Sequence, residues 1–197
     1  MPRLVDHEER RREITGAARR VIAHHGLRAA TFQSVAEEAG ISVRLVQYYF
    51  GSKRDVLLAT HQAVVADAGR RFAQRLAGLG AGAEPAHVVR GLLVELLPTD
   101  GARREDAVVL GAFHADGLTG SDLTSEETLG APRLLVDAVA AQVRRLRAPE
   151  GAHLADLDAW LVVAAAAGLA QAMLADPVAA ARADELLDRL LDRMLAP

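Results

Sequence analysis

The chain of 197 residues contains no cysteine, which excludes disulfides, thiolate metal sites and a cysteine nucleophile. That absence fits a reducing cytoplasm, the expected location. Lysine is almost as scarce: Lys53 stands alone among 23 basic residues, the other 22 being arginine. Aromatic residues amount to four Phe, two Tyr and one Trp, so each ring is informative by its position. No segment sustains the two-residue alternation that a half-buried strand needs. No G-x-S-x-G, phosphate loop or H-E-x-x-H motif organises the acids, histidines and serines, so neither an enzyme nor a metal or cofactor site is expected. The opening MPRLVDHEERRRE is charged and has no apolar core, so a secretory signal is not expected. One uncharged run of 17 residues, 159–175, touches the short end of the membrane-spanning range. Alanine supplies much of it, Gly168 and Gln171 interrupt it, and acidic rather than basic residues flank it; a buried helix is expected, with no membrane partner.

What remains is helical. The chain is 51% hydrophobic and 25% charged, enough for a sizeable core. Apolar residues recurring every three to four positions, punctuated by turn chemistry, predict about nine helices and an all-α fold. These are 8–25, 32–39, 43–50, 55–79, 86–97, 103–117, 132–146, 154–174 and 178–195, with breaks at 98–101, 118–130, 148–151 and 175–177. On the first, Ile14, Ala17, Ala18, Val21 and Ile22 share one face. Residues 1–55 carry ten basic against seven acidic groups, a net of +3, while the remainder holds 13 against 19, a net of −6. A basic head on an acidic body is compatible with a head that meets phosphates, and equally with solvated helix faces.

The segment from Thr31 to Lys53, TFQSVAEEAGISVRLVQYYFGSK, carries the chemistry. Thr31 and Ser42 are good N-caps for two short helices, Gly40 permits the turn between them, and Ser52 with Asp55 caps the helix that follows. Phe32, Val35, Ala36, Ala39, Ile41, Val46 and Phe50 can form a small core. Val43, Arg44, Gln47 and Tyr48 then share the opposite face of the second helix, because residues i, i+1, i+4 and i+5 cluster on a helix. Arg44 can pair two donors with a guanine edge, Gln47 can do the same with adenine, and Val43 can pack on a thymine methyl. Thr31, Ser42 and Lys53 lie at helix N-termini suited to phosphate, and Tyr49 adds a hydroxyl. This is a helix-turn-helix for double-stranded DNA.

In these residues the chain resembles the DNA-binding domain of the TetR family of bacterial transcriptional regulators. The family pattern is a threonine opening the second helix, an A-x-x-A-G turn, a serine, an aromatic-rich Y-x-[YH]-F and then x-S-K. Here it stands as Thr31, Ala36 to Gly40, Ser42, Gln47 to Phe50, and Gly51 to Lys53, over a match of about residues 8 to 58. Gln47 departs from the family's frequent tyrosine and bears on base preference. The resemblance implies a DNA-binding head, residues 1–54, and a helical ligand-binding and dimerisation domain, residues 55–197. It also implies a homodimeric repressor released from a palindromic operator when a small-molecule effector enters a chamber in the body, the long fourth helix transmitting the change.

The body offers fewer signals. Its distinctive polar and aromatic groups include His61, Phe113, His114, Trp160, Gln171 and Met173. Phe113, His114, Trp160 and Gln171 are the expected pocket residues, although a histidine on the surface and aromatic rings in the core are the commoner fates. The last two helices carry wide apolar surfaces, which suggests a dimer interface through Leu161, Ala165, Gly168, Leu187, Leu190, Leu191 and Met194. A rival reading is a dimeric small-molecule binding or scaffolding protein without specific DNA binding. Arg44, Gln47 and Lys53 speak against it, since folding does not require those groups on that face.

Overall fold

A computed structural model describes residues 2–80, 82–119, 123–128, 130–147 and 153–195, and every regular element among them is helical. The helices are α1 (Pro2–His25), α2 (Phe32–Ala39), α3 (Val43–Tyr49), α4 (Lys53–Leu79), α5 (Pro85–Val94), α6 (Gly101–Thr119), α7 (Ser125–Thr128), α8 (Gly130–Leu146), α9 (Ala155–Ala175), α10 (Pro177–Ala181) and α11 (Ala183–Met194), with a 3-10 turn at Leu27–Ala29. The all-helical expectation holds, and the differences are local. Residues 118–130, expected as a break, include α7; Thr124 and Glu127 cap it reciprocally, the Thr124 N–H donating to Glu127 at 2.9 Å. The expected last helix is broken at Arg182, whose backbone leaves the helical region at φ −111°, ψ 22°. Of the expected breaks, 148–151 lies outside the described residues, as do 120–122 and 129 within 118–130.

Packing gathers these helices into two compact units, Met1–Asp67 with Val108–Thr128, and Ala68–Ala107 with Leu129–Pro197. The division falls inside α4 and α6, whereas the expected division by role falls at 54/55. Val56, Leu57, Thr60 and Val64 explain this: each is buried on the first half of α4 and prolongs the packing of the first unit beyond residue 54.

The first unit holds two apolar clusters. One joins Ile14, Ala17 and Ala18 of α1 to Val35, Ala36, Val46, Phe50 and Val56, with Phe32, Ala39 and Ile41 partly buried against it. Complete burial of a side chain the size of Phe50 or Ile14 contributes roughly 1.5 to 3 kcal/mol, so this small cluster anchors the two short helices α2 and α3, which would not persist alone. The other joins Val21, Ile22 and Leu27 to Leu57, Val64, Val109 and Phe113.

The second unit is built on α5, α8, α9 and α11. Val89, Leu93, Val139, Val143, Val162, Ala166, Met173 and Leu187 lie at its centre. Gly91 on α5 allows a close approach, since a Cβ there would meet Leu79 at 3.1 Å. Arg90 ties α5 to α11 through Asp188 at 2.6 Å and Asp184 at 2.8 Å.

Candidate nucleic-acid interface

Local capping sets the geometry of the head. Thr31, in extended backbone, accepts the Ser34 N–H at 3.1 Å, and Ser34 Oγ accepts the Thr31 N–H at 3.0 Å, a reciprocal cap that starts α2. Gly40 ends that helix at φ +66°, a left-handed conformation in which Ile41 N–H reaches back to Ala36 O at 3.0 Å. Two residues later Ser42 caps α3 by accepting the Leu45 N–H at 3.2 Å. The turn therefore has one short path, and α3 emerges in a set direction. Arg20 ties α1 to α2 by donating to Glu38 at 2.5 Å.

Val46 of α3 and Phe50 just beyond it point into the head's core, and Arg44, Gln47 and Tyr48 of α3 point to solvent, with Tyr48 74% exposed. Arg44, Gln47 and Tyr48 thus form one polar surface. Val43, grouped with them by spacing, is half-buried against the core, which leaves it less surface for a thymine methyl. Thr31 and Ser42 are exposed at the N-termini of α2 and α3. The Ser42 hydroxyl uses its oxygen to cap the helix, and its hydrogen is suited to a phosphate oxygen. Lys53, half-buried, opens α4 directly after Ser52, which accepts the Asp55 N–H at 3.1 Å. Tyr49 differs from the other expected phosphate groups: it is half-buried, and its ring lies 4.7 Å from that of His7.

Arg11 was missed by sequence reasoning. It donates to the Tyr49 carbonyl at 2.6 Å and lies over the Phe50 ring at 4.1 Å from its centre. Nothing in the run Arg10, Arg11, Arg12 marks the middle arginine, because its partner is 38 residues away.

The family model described as "Bacterial regulatory proteins, tetR family" matches residues 14–60, the segment just described. The HTH-type transcriptional regulator PksA of Bacillus subtilis (strain 168) is 33% identical over 116 residues, 58% of this chain and 55% of that protein. The chain thus spans about half the length of that relative. A transcriptional regulator from Rhodococcus sp. RHA1 superposes with a TM-score of 0.76 at 26% identity, over 94% of this chain and 93% of the other. The similarity to the TetR family is thus carried by residues 14–60, the DNA-binding head. A regulator from Saccharomonospora viridis, solved in complex with choline, shares the fold with a TM-score of 0.77 at 24% identity, over 94% of this chain and 95% of that one.

The four expected pocket residues divide between the two units, Phe113 and His114 in the first and Trp160 and Gln171 in the second. Phe113 is fully buried in the first unit, edge-on to His61 with ring centres 5.1 Å apart, while His114 next to it faces solvent. Successive helical residues point about 100° apart, and here that separation places one of the pair in the core and the other in water. Trp160, 55% exposed, and Gln171, exposed, belong to the second unit and lie on the open side of α9. His61 is itself buried, and burial pushes its imidazole below the ordinary value of 6.5 against the opposing pull of the Glu127 carboxylate. An open groove of about 560 Å³ in the second unit is lined by Arg71, Arg75, Leu79, Glu95, Asp100 and Arg103. Its charged residues come from three helices and their adjoining turns, which spacing along the chain could not bring together. Among the described residues, no group of three or more His, Asp or Glu is placed to hold a metal ion.

The expected interface residues separate into two sets. Leu161 is 57% exposed on α9 beside Leu157 and Trp160; Ala165 is half-buried, and a Cβ on exposed Gly168 would meet open space. Leu187 is fully enclosed in the second unit's core, and Leu190, Leu191 and Met194 are half-buried against it. Leu187 is therefore spent on its own protomer, while Leu190, Leu191 and Met194 keep part of their apolar surface uncovered. α9 carries apolar residues on both its buried and its exposed sides. It is long and apolar enough to cross a membrane by length and composition, with 33% of its most apolar window buried.

Proposed function

We propose that this chain is a sequence-specific DNA-binding transcriptional regulator of the cytoplasm. In this reading it is a homodimeric repressor released from a palindromic double-stranded operator by a small-molecule effector. The observation that carries the reading is the face of α3, where Arg44, Gln47 and Tyr48 stand exposed while Val46, with the half-buried Val43 and Tyr49, serves the core. Arg44, Gln47 and Tyr48 read bases, with a lesser part for Val43. Thr31, Ser42, Tyr49 and Lys53 fix the head on the backbone, as three of them stand at helix N-termini.

Residues 1–54 act as the reading head, and residues 55–197 hold the effector and the dimer contact. The exposed apolar side of α9 around Leu157, Trp160, Leu161 and Gly168 supports a second copy of the chain there. Two heads then meet half-sites about 34 to 36 Å apart, one turn of DNA. An effector releases such a dimer only to the extent that it binds the DNA-incompetent state more tightly than the competent one. The choline complex of the Saccharomonospora viridis regulator supports a small organic effector in kind.

Binding selection from a random duplex pool, followed by gel shifts across a salt series, tests the proposal. A palindromic consensus and a steep loss of affinity with salt are expected. Lys53→Ala weakens all sites about uniformly and lowers the salt slope by about one unit. A dimer that selects no sequence would favour the rival reading of a small-molecule binding or scaffolding protein.

A further inference from the structure

Helix α3 is seven residues long and ends without a glycine. Phe50 leaves it in extended backbone at φ −137°, ψ 111°, its N–H still bonded to Val46 O at 2.9 Å. The carbonyl of Tyr49 then lies at the end of the helical ladder, where an unsatisfied acceptor and the negative end of the helix dipole both favour a cation. Arg11 of α1 supplies it, donating to Tyr49 O at 2.6 Å. The same guanidinium lies over the Phe50 ring, 4.1 Å from the centroid. One turn earlier on α1, the His7 ring sits 4.7 Å from the Tyr49 ring, which in turn meets Tyr48 edge-on at 5.2 Å. The neighbouring arginines are engaged elsewhere, Arg10 with Glu13 at 2.5 Å and Arg12 with the Glu8 carbonyl at 3.3 Å.

We propose that Arg11 is a positioning residue for base reading: it locks the C-terminal end of α3 onto α1 and so sets the angle at which Arg44, Gln47 and Tyr48 enter the groove. Its guanidinium is committed to a carbonyl and a ring and does not itself hold DNA. A two-turn helix has little rigidity of its own, so its orientation depends on what grips its ends. With a rise of 1.5 Å per residue, Arg44 lies about 8 Å from the gripped end, and a tilt of about 10° there displaces it by about 1.4 Å. That is enough to spoil a bidentate contact, which tolerates only small departures from hydrogen-bond geometry. The inference rests on the DNA-reading function proposed above.

The test compares the selected operator with an unrelated duplex of equal length across a salt series. Arg11→Met keeps an apolar stem on Phe50 and removes the donors; it is expected to lower operator affinity about tenfold, as loss of a hydrogen bond to a charged group does. Affinity for the unrelated duplex and the slope of log K against log salt should stay at native values. Arg11→Lys restores a donor and a charge and recovers part of the loss. Equal loss on both duplexes with a slope smaller by about one would make Arg11 a phosphate ligand and overturn the proposal. Unchanged operator binding would overturn it as well. Where Arg11→Met fails to hold its helical circular dichroism, Arg11→Lys decides: a reduced ratio of operator to unrelated affinity supports positioning, and a native ratio removes it. A native protein that binds both duplexes equally would take down the DNA-reading function and this inference together, a result distinct from any change confined to Arg11.

Discussion

Helices α3 and α9 each leave one face uncovered, and the two faces are opposite in kind. α3 turns Arg44, Gln47 and Tyr48 to water; α9 turns Leu157, Trp160, Leu161 and Gly168. A polar face left in water costs the protomer little, so nothing about folding demands that Arg44 or Gln47 be there. Such a face is informative through the hydrogen-bond pattern it presents. An apolar face is penalised by roughly 25 cal/mol for each Å² kept wet, so its exposure is informative by its mere persistence. The first points to a partner with donors and acceptors in fixed array, the second to another apolar surface.

The contrast is broken most severely at α9. Leu161→Glu places a charge in the surface proposed to meet a second copy and should weaken dimerisation about a hundredfold or more. Sedimentation of the purified protein checks this, and an undisturbed dimer would move the interface away from α9. At α3, Arg44→Ala should cost about 1 to 3 kcal/mol at one base position and relax preference there. Equal loss on every sequence in a binding selection would count against base reading. Ser42→Ala leaves the polar face intact and removes only its N-cap; the head should lose about 1 kcal/mol of stability, read by chemical denaturation.

The smallest effect is expected at His61, buried and belonging to neither face. Its folded pKa lies below the ordinary 6.5 because burial disfavours the charged ring. The unfolded chain therefore takes up the proton first as pH falls, and stability should be level above about 6.5 and decline from there down to the depressed folded value. Urea unfolding at stepped pH, with His61→Phe flattening that part of the profile, is the check. A profile unaltered by the substitution would remove His61 as its source.

Much of the head was legible because its determinants are local. Caps at Thr31 and Ser42, the left-handed turn at Gly40 and the pattern of buried Val35, Ala36, Val46 and Phe50 all act within a few residues of themselves. The resemblance to the TetR family rests on those positions too, which is why fold and family could be read together. Val43 was misjudged in degree, since the face of a two-turn helix is narrower than spacing suggests and its edge residue tips toward the core. Thr124 and Glu127 carry a capping signal for α7, but a helix of four residues is too short to show apolar periodicity.

The body was legible only as helices. Its pocket and interface assignments depended on which side of each helix is covered, and apolar periodicity cannot say what does the covering. Leu187 and Leu161 are both leucines on apolar helix faces, yet the first is sealed in the protomer and the second lies open. Phe113 and His114 are neighbours on α6, yet packing buries the first and leaves the second in water.

Sequence alone therefore determined the helical class, the capped three-helix head, its resemblance to the TetR family and the polar face of α3, because short-range bonding and helical period decide each of them. Tertiary structure decided the rest: that Arg11 grips the end of α3 across 38 residues, that α11 seals Leu187 in its own core, and that α9 keeps one side unmatched. Those facts depend on which distant surfaces meet, and that is set by the packing of whole helices rather than by any residue's neighbours along the chain.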